Sequence, residues 1–232
     1  MMESNGFIAV NEIFTSISGE QGLFRQGDVV SFLRLQGCNL SCKWCDAPQA
    51  RYNPFEATRE YSVLSFDEII SRLVAMDNKK VVITGGEPMC QGSQLYKLIP
   101  RLKDSGFKIQ IETNGTFIIR PKVFNHVVFD YKISNPRNMI TLAGFVEHRT
   151  ATIKFVVESV QQIAKAIHVI FELEKTRKRL YASHEIRYCL SPVIGNEKNN
   201  LTHVDVLNYL TDHRLTKLIS INAQLHKLLN LK

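Results

Sequence analysis

Nowhere among the 232 residues do about 18 apolar residues run together, which excludes a membrane-spanning helix. The opening stretch, MMESNGFIAVNEIF, lacks a basic segment followed by an apolar one, so it does not read as a secretory signal. Cysteine is scarce: five residues, three in one short stretch and two, Cys90 and Cys189, isolated. That pattern excludes a secreted disulfide framework and points to a reducing compartment, the cytoplasm. No repeat, low-complexity segment or linker divides the chain. With 44% hydrophobic residues, one domain over residues 1–232 is expected. Acidic residues are outnumbered 22 to 29 by basic ones, for a net charge of +7. The basic residues are scattered, and the one dense run, Lys175–Arg179, closes a predicted helix, where cations oppose the helix dipole. Nucleic-acid binding is therefore not expected, and the excess charge equally suits small anionic substrates.

What the chain does have is an alternation of apolar strands and amphipathic helices. Val29–Leu35, Val81–Thr84, Lys108–Glu112, His126–Tyr131, Thr152–Val157, Ile186–Leu190 and Leu218–Ile221 read as strands. Ser65-Phe66-Asp67-Glu68 is a capping box opening a helix to about Met76. A second helix covers about Leu95–Lys103, closed by Gly106. The longest helical signal places Val160, Ile163, Ala164, Ile167, Ile170 and Phe171 at helical spacing. Arg51–Tyr61 reads as a loop insertion. Repeated β-then-α units predict an α/β fold with a mostly parallel sheet covered by helices. The elements are too few for an eight-fold barrel, so an incomplete (β/α) barrel fits better.

Cys38, Cys42 and Cys45 stand in C-x3-C-x2-C spacing within CNLSCKWC. Structural zinc takes four ligands, and electron-transfer iron–sulfur clusters take four thiolates. Three thiolates without a fourth suit a 4Fe–4S cluster with one iron open to a ligand that is not protein. A zinc knuckle completed by a His, or three unrelated buried cysteines, are the alternatives. Other polar outliers sit at strand ends, where α/β sheets gather function. In Thr84-Gly85-Gly86-Glu87-Pro88, two glycines let the backbone approach a ligand, and Glu87 can buttress the loop or accept from an amine. Glu112-Thr113-Asn114-Gly115 ends the next strand, with a simple Asn-Gly turn as the alternative. Lys154, inside an apolar strand, must reach a partner, reach a cavity or snorkel to the surface. Arg34, four positions before the first cysteine, carries a planar fork suited to a carboxylate, or else a surface ion pair.

The cysteine loop, with an aromatic before its last cysteine and GGEP about 40 residues on, resembles the radical S-adenosylmethionine (SAM) enzymes. Further motifs sharpen the resemblance. Phe14-Thr15-Ser16-Ile17-Ser18-Gly19-Glu20, Phe32-Leu33-Arg34-Leu35-Gln36-Gly37-Cys38, Trp44-Cys45-Asp46 and Gln224-Leu225-His226-Lys227 are similar, in order and spacing, to the 7-carboxy-7-deazaguanine synthase family. The resemblance implies a radical-SAM barrel and a homodimer. It implies a 4Fe–4S cluster on Cys38, Cys42 and Cys45, with SAM chelating the open iron. Contacts to SAM would come from Trp44, Cys45, Asp46, Gly86 and Glu87, and from Thr113, Ser134, Lys154 and Ser191. Substrate contacts would come from Ser18, Gly19, Glu20, Arg34, Thr84 and His226. An external one-electron reductant such as flavodoxin would feed the cluster.

The implied reaction is the ring contraction of 6-carboxy-5,6,7,8-tetrahydropterin to 7-carboxy-7-deazaguanine with loss of ammonia, toward queuosine, archaeosine and related 7-deazaguanines. Three departures from the family pattern stand out. Ser18-Gly19-Glu20-Gln21 replaces the usual QGEG, and Ser134-Asn135-Pro136-Arg137 replaces the usual serine-proline-lysine run. Ala47 stands where the family carries a threonine that ligates Mg2+, so the hydroxyl for that metal is missing. The rival readings are a glycyl-radical activating enzyme, which shares the cysteine spacing and needs a protein partner, and a metal-stabilised nucleic-acid-binding module.

Overall fold

The apolar strands assemble into one sheet because each exposes a continuous apolar row that only a neighbouring layer can cover. The computed structural model describes residues 6–43, 45–51, 61–120, 123–133, 151–180, 185–194 and 201–231. Its strands are β1 (Phe7–Ile17), β2 (Val29–Leu35), β3 (Ser62–Ser65), β4 (Lys80–Gly85), β5 (Lys108–Thr113), β6 (His126–Tyr131), β7 (Ala151–Val157), β8 (Ile186–Pro192) and β9 (Ile219–Ile221). They lie in the order β3-β1-β2-β4-β5-β6-β7-β8-β9. From β2 onward through β4 to β9 all pairings are parallel, while β1 pairs antiparallel with both β2 and β3. No ladder joins β3 to β9, so the barrel stays incomplete as expected.

The sheet has two chemically different faces, set by the two-residue period of a strand. On one face Leu33, Ile83, Ile111, Phe129, Ile153 and Leu190 join the main apolar core. Against them pack α1 (Phe66–Ala75), α2 (Gly92–Asp104), α3 (Val160–Arg179) and α4 (His203–Asp212). The alternate positions, Arg34, Thr84, Glu112, Asp130 and Lys154, face the opposite way. At the N-terminal side of that inner face Phe24, Val30 and Val82 form a small second core with Phe32 against it, which closes the bottom of the barrel. Among the described residues no helix is long and apolar enough to cross a membrane.

The strands expected from β2 onward are all present, with ends shifted by up to two residues. The capping box is also formed, Glu68 N donating to Ser65 Oγ at 3.3 Å and Ser65 N to Glu68 Oε2 at 2.8 Å. Three further elements carry a weaker signal. In β1 the register slips between Val10 and Glu12, which breaks the alternation a strand would display. β3 has four residues and runs straight into α1. α4 does have a readable cue, the capping box Thr202 to Asp205. On α3 the buried stripe is Ile163, Ala166, Ile170 and Leu173, whereas Val160 and Phe171 are half exposed, so the apolar face is rotated from the expected one. The Arg51–Tyr61 loop falls almost wholly outside the described residues.

His126, at the start of β6, is buried with Nε2 3.0 Å from Thr152 Oγ1. Burial and then the charge of Arg187 hold its pKa down to about 4. An unfolded histidine titrates near 6.5, so the unfolded chain takes up the proton first as pH falls. The contribution is complete above pH ~6.5 and is lost progressively down to about pH 4, up to about 3 kcal/mol. Urea midpoints across that window should fall more steeply for the parent chain than for His126→Gln. Parallel slopes would mean that the imidazole titrates in the folded chain as it does in the unfolded one.

Candidate active site

The inner-face residues that interrupt the apolar pattern converge on one cavity of about 940 Å³. Arg34 and Thr84 are register partners on β2 and β4, and Asp130 and Lys154 are register partners on β6 and β7. All four line the cavity, together with Glu112 at the end of β5. Arg34 stacks its guanidinium over Phe14, 5.0 Å from the ring centroid, which fixes the plane of the fork. Its Nε is buried without a hydrogen-bond partner.

Cys38, Cys42 and Cys45 line the same cavity as free, half-buried thiols. The turn after β4 is packed onto the start of their loop. Glu87 N donates to Gly37 O at 2.7 Å, and Gly37 N to Ala50 O at 2.8 Å. A side chain at Gly86 would place its Cβ 2.2 Å from Gly37 O and 2.7 Å from Cys38 Cβ, so only glycine fits there. Of the two roles open to Glu87, the structure displays the buttress. Its fully buried carboxylate accepts from Met89 N (2.9 Å), Thr113 Oγ1 (2.8 Å) and Asn114 N (2.7 Å). Asn114 Nδ2 in turn donates to Asn39 Oδ1 at 3.0 Å and ties the cysteine loop to β5. Thr113 lines the cavity while its hydroxyl is held by Glu87.

The last segment of the chain forms a second wall. After β9 comes the short helix α5 (Leu225–Leu228). His226 from α5 rests so close to Gly19 that a Cβ there would stand 2.3 Å from His226 Nδ1. Lys227 Nζ lies 2.7 Å and His226 Nε2 3.9 Å from the Asp46 carboxylate. Burial would raise the pKa of Asp46, but the neighbouring His226 ring and the close Lys227 ammonium hold it well below the usual carboxylate range. Ala47 follows on the cavity wall with a methyl group and no metal-binding atom.

The floor is a buried charge network. Lys154, 5% exposed, donates to Glu20 Oε1 at 2.8 Å and lies 3.4 Å from Asp130 Oδ2. Lys132 pairs with the same Asp130 oxygen at 2.9 Å. Burial alone would lower the Lys154 pKa, yet Asp130 and Glu20 outweigh it and hold the ammonium charged. Glu20 Oε2 accepts from Asn222 Nδ2 at 2.6 Å. Glu112 is different: burial and then the charge of Glu20 push its pKa up to about 7.

Most sequence-predicted residues therefore reach the cavity: the three cysteines, Gly19, Glu20, Arg34, Asp46, Thr84, Gly86, Thr113, Lys154 and His226. Ser18 and Ser191 do not. Ser18 Oγ donates to Glu20 O (3.3 Å) on the wall, and Ser191 Oγ donates to Asn222 O (3.2 Å), a residue behind the wall that holds Glu20. Lys154 is on the wall, but its ammonium is engaged by protein carboxylates. Trp44 and Ser134 lie outside the described residues. Asp130, Glu112, Lys227 and Gln224 are cavity residues that the sequence reading did not assign. Asp130 had a signal, a carboxylate within an apolar strand. Asn222, which faces Glu20 from 202 residues away, had none.

The donor set fits a cluster with one open iron: three unpaired thiols on one cavity, beside a backbone turn held close by Gly86. Among the described residues no three His, Cys, Asp or Glu side chains stand gathered for a metal, so the three thiols would draw together as iron binds. An oxygen site for Mg2+ is poorly provided, since Asp46 is already engaged by Lys227 and Ala47 lacks an oxygen.

Comparison with known proteins agrees with this geometry. Residues 33–173 match the Radical SAM superfamily. The chain is 30% identical over 228 residues to the 7-carboxy-7-deazaguanine synthase of Clostridium acetobutylicum, covering 95% of each. It is also 30% identical over 233 residues to that of Methanospirillum hungatei, covering 99% of this chain and 88% of the relative. The crystal structure of QueE from Escherichia coli shares the fold, with a TM-score of 0.67 over 93% of this chain and 92% of that one at 22% identity. The chain thus belongs to the radical SAM superfamily and, within it, to the 7-carboxy-7-deazaguanine synthase family.

Proposed function

We propose that this chain converts 6-carboxy-5,6,7,8-tetrahydropterin to 7-carboxy-7-deazaguanine with loss of ammonia, as a step in 7-deazaguanine biosynthesis. The observation that carries the reading is that the cysteine loop, Arg34 and Glu20 share one cavity. Cys38, Cys42 and Cys45 would hold a 4Fe–4S cluster, which with SAM would supply the hydrogen-abstracting radical chemistry. The protein's own work is to bind, orient and protonate. Arg34, its plane set by Phe14, takes the substrate carboxylate through a bidentate fork. Glu20, held in place by the Lys154 ammonium, accepts from the pyrimidine N–H groups. Glu112, with a pKa of about 7, exchanges a proton readily at neutral pH, as release of ammonia requires. His226 pairs with the substrate carboxylate or relays a proton. An external one-electron donor such as flavodoxin, a homodimeric state and a cytoplasmic location complete the reading.

Reconstituted without air, the purified chain should turn over the pterin with SAM and a reductant, and no protein partner. Cys38→Ala, Cys42→Ala and Cys45→Ala should each lose iron and SAM cleavage. Cys90→Ala and Cys189→Ala should keep both, because Cys90 is exposed, Cys189 is buried and neither lines the cavity. SAM cleavage with no pterin product would overturn the substrate assignment, as would turnover that needs a second protein other than the electron donor.

Replacing the fork by a point charge should weaken pterin binding. For Arg34→Lys the loss expected is ~1.5–3 kcal/mol, as for a charge-assisted hydrogen bond, with unchanged iron content. Equal pterin affinity in parent and variant would return Arg34 to a structural role.

Dependence on Mg2+ should be weaker than a threonine at position 47 would give, because the methyl of Ala47 offers no ligand and Lys227 already neutralises Asp46. Turnover titrated with chelator and with Mg2+ should respond more steeply in Ala47→Thr than in the parent. Superimposable titrations would show that the missing hydroxyl is immaterial.

A further inference from the structure

Of the run Gln224-Leu225-His226-Lys227, two residues have an evident use: His226 packs on Gly19, and Lys227 binds Asp46. Gln224 has none within the protein, although its position is costly. Its backbone sits in the left-handed region at φ 42°, ψ 60°, which a residue with a Cβ adopts reluctantly and a glycine adopts freely. It is 2% exposed, and it gives α5 no side-chain cap. Only its backbone oxygen is engaged, by Lys227 N at 3.0 Å. Its side chain lines the cavity, and the buried Oε1 has no hydrogen-bond partner. Buried amide oxygens are nearly always paired, so an orphan on a cavity wall marks the place where a ligand supplies the partner.

The neighbours say which ligand group. Asn222, two residues earlier, holds Glu20 Oε2 at 2.6 Å, and His226, two residues later, abuts Gly19. Gln224 is therefore carried between two residues that both address the Gly19–Glu20 loop. A carboxylate presents only acceptors, and Glu20 and Glu112 already line this cavity. A neutral carboxamide presents one acceptor beside two donor hydrogens, and half a turn about its last bond exchanges the two ends. That pair complements an amide-like edge, a ring N–H next to a carbonyl or ring nitrogen. We infer that Gln224 is a recognition residue that reads the donor–acceptor edge of the heterocycle while Glu20 takes ring N–H groups. This assignment rests on the pterin reading above.

Gln224→Gly separates recognition from structure, since it removes the amide while relaxing the backbone. The reconstituted holoenzymes of the parent, Gln224→Gly and Gln224→Glu would be compared. The readouts are kcat and KM for 6-carboxytetrahydropterin, SAM cleavage without pterin, iron content and thermal midpoint. The glycine variant should keep its midpoint, its iron and its pterin-independent SAM cleavage, while KM rises about tenfold, the effect of one lost hydrogen-bonded contact. Gln224→Glu should raise KM as well, because a donor is lost and negative charge is added. A KM unchanged in both variants would overturn the inference. So would a rise in the glycine variant that comes with a lowered midpoint or lost iron, the signature of a structural role. Failure of the pterin reading looks different: the parent enzyme would itself cleave SAM and leave the pterin unchanged, which removes the ligand assigned to Gln224 along with the reaction.

Discussion

A lysine ammonium buried on the inner face of β7 governs the arrangement of everything around it. Removing such a charge from water is unfavourable by several kcal/mol unless carboxylates meet it with good geometry. Lys154 finds Asp130 on the adjacent strand β6 and Glu20 on the loop that follows β1. The second contact draws a distant loop into the barrel. Once Glu20 is there, its other oxygen needs a donor, and Asn222 provides one from beyond β9. Asn222 also accepts from Gln21 N at 3.1 Å and Gln26 Nε2 at 3.1 Å, which fixes the stretch that follows Glu20. A hydrophobic residue at position 154 would pack, but it would leave Glu20 without its cation and Asp130 with Lys132 alone. The network thus holds the Glu20 carboxylate in a fixed place on the cavity wall.

That network also explains why the strands were legible and part of the site was not. Strands buried on both faces read as apolar runs, and β4 to β9 are found where those runs fall. The inner-face residues appear as single polar interruptions at alternating positions: Thr84 in VVIT, Asp130 in HVVFDY and Lys154 in TIKFVV. The interruption alone reveals that a residue needs a polar partner. Which partner it finds depends on strand order and register, which a linear pattern does not encode. Lys154 was accordingly open between surface, cavity and partner, and it has both of the last two.

Residues that act through local backbone geometry were easier to place than those that act across the fold. Gly86 was legible because a strand end followed by two glycines has few physical reasons other than close approach, and the approach is to the cysteine loop itself. Glu87 was legible only as a pair of alternatives, since choosing between them required the position of Asn114 N, 27 residues away. Ser18 and Ser191 were carried to the site by motif similarity, and the structure sets them one layer back. Small hydroxyls on tightly packed strands are satisfied by the nearest carbonyl, here Glu20 O and Asn222 O.

The site also divides along the chain in a way that follows from its two tasks. The superfamily match spans residues 33–173 and so takes in the cysteines, the Gly85-Gly86 turn, Glu87 and Lys154. The residues proposed above to read the heterocycle lie largely outside that span: Glu20 before it, and Gln224 and His226 after it, with Asn222 holding Glu20 from behind. Arg34 sits at its very beginning. A shared radical chemistry demands a constant cluster loop and a constant strand scaffold, whereas substrate choice can be rewritten in segments that do not carry the barrel. These two segments are coupled, however, because Glu20 is held by Asn222, and the ring of His226 leaves no room for a Cβ at position 19. In the proposed reading, recognition of the substrate ring is therefore a property of the contact between the two segments, which Lys154 reinforces by drawing Glu20 inward.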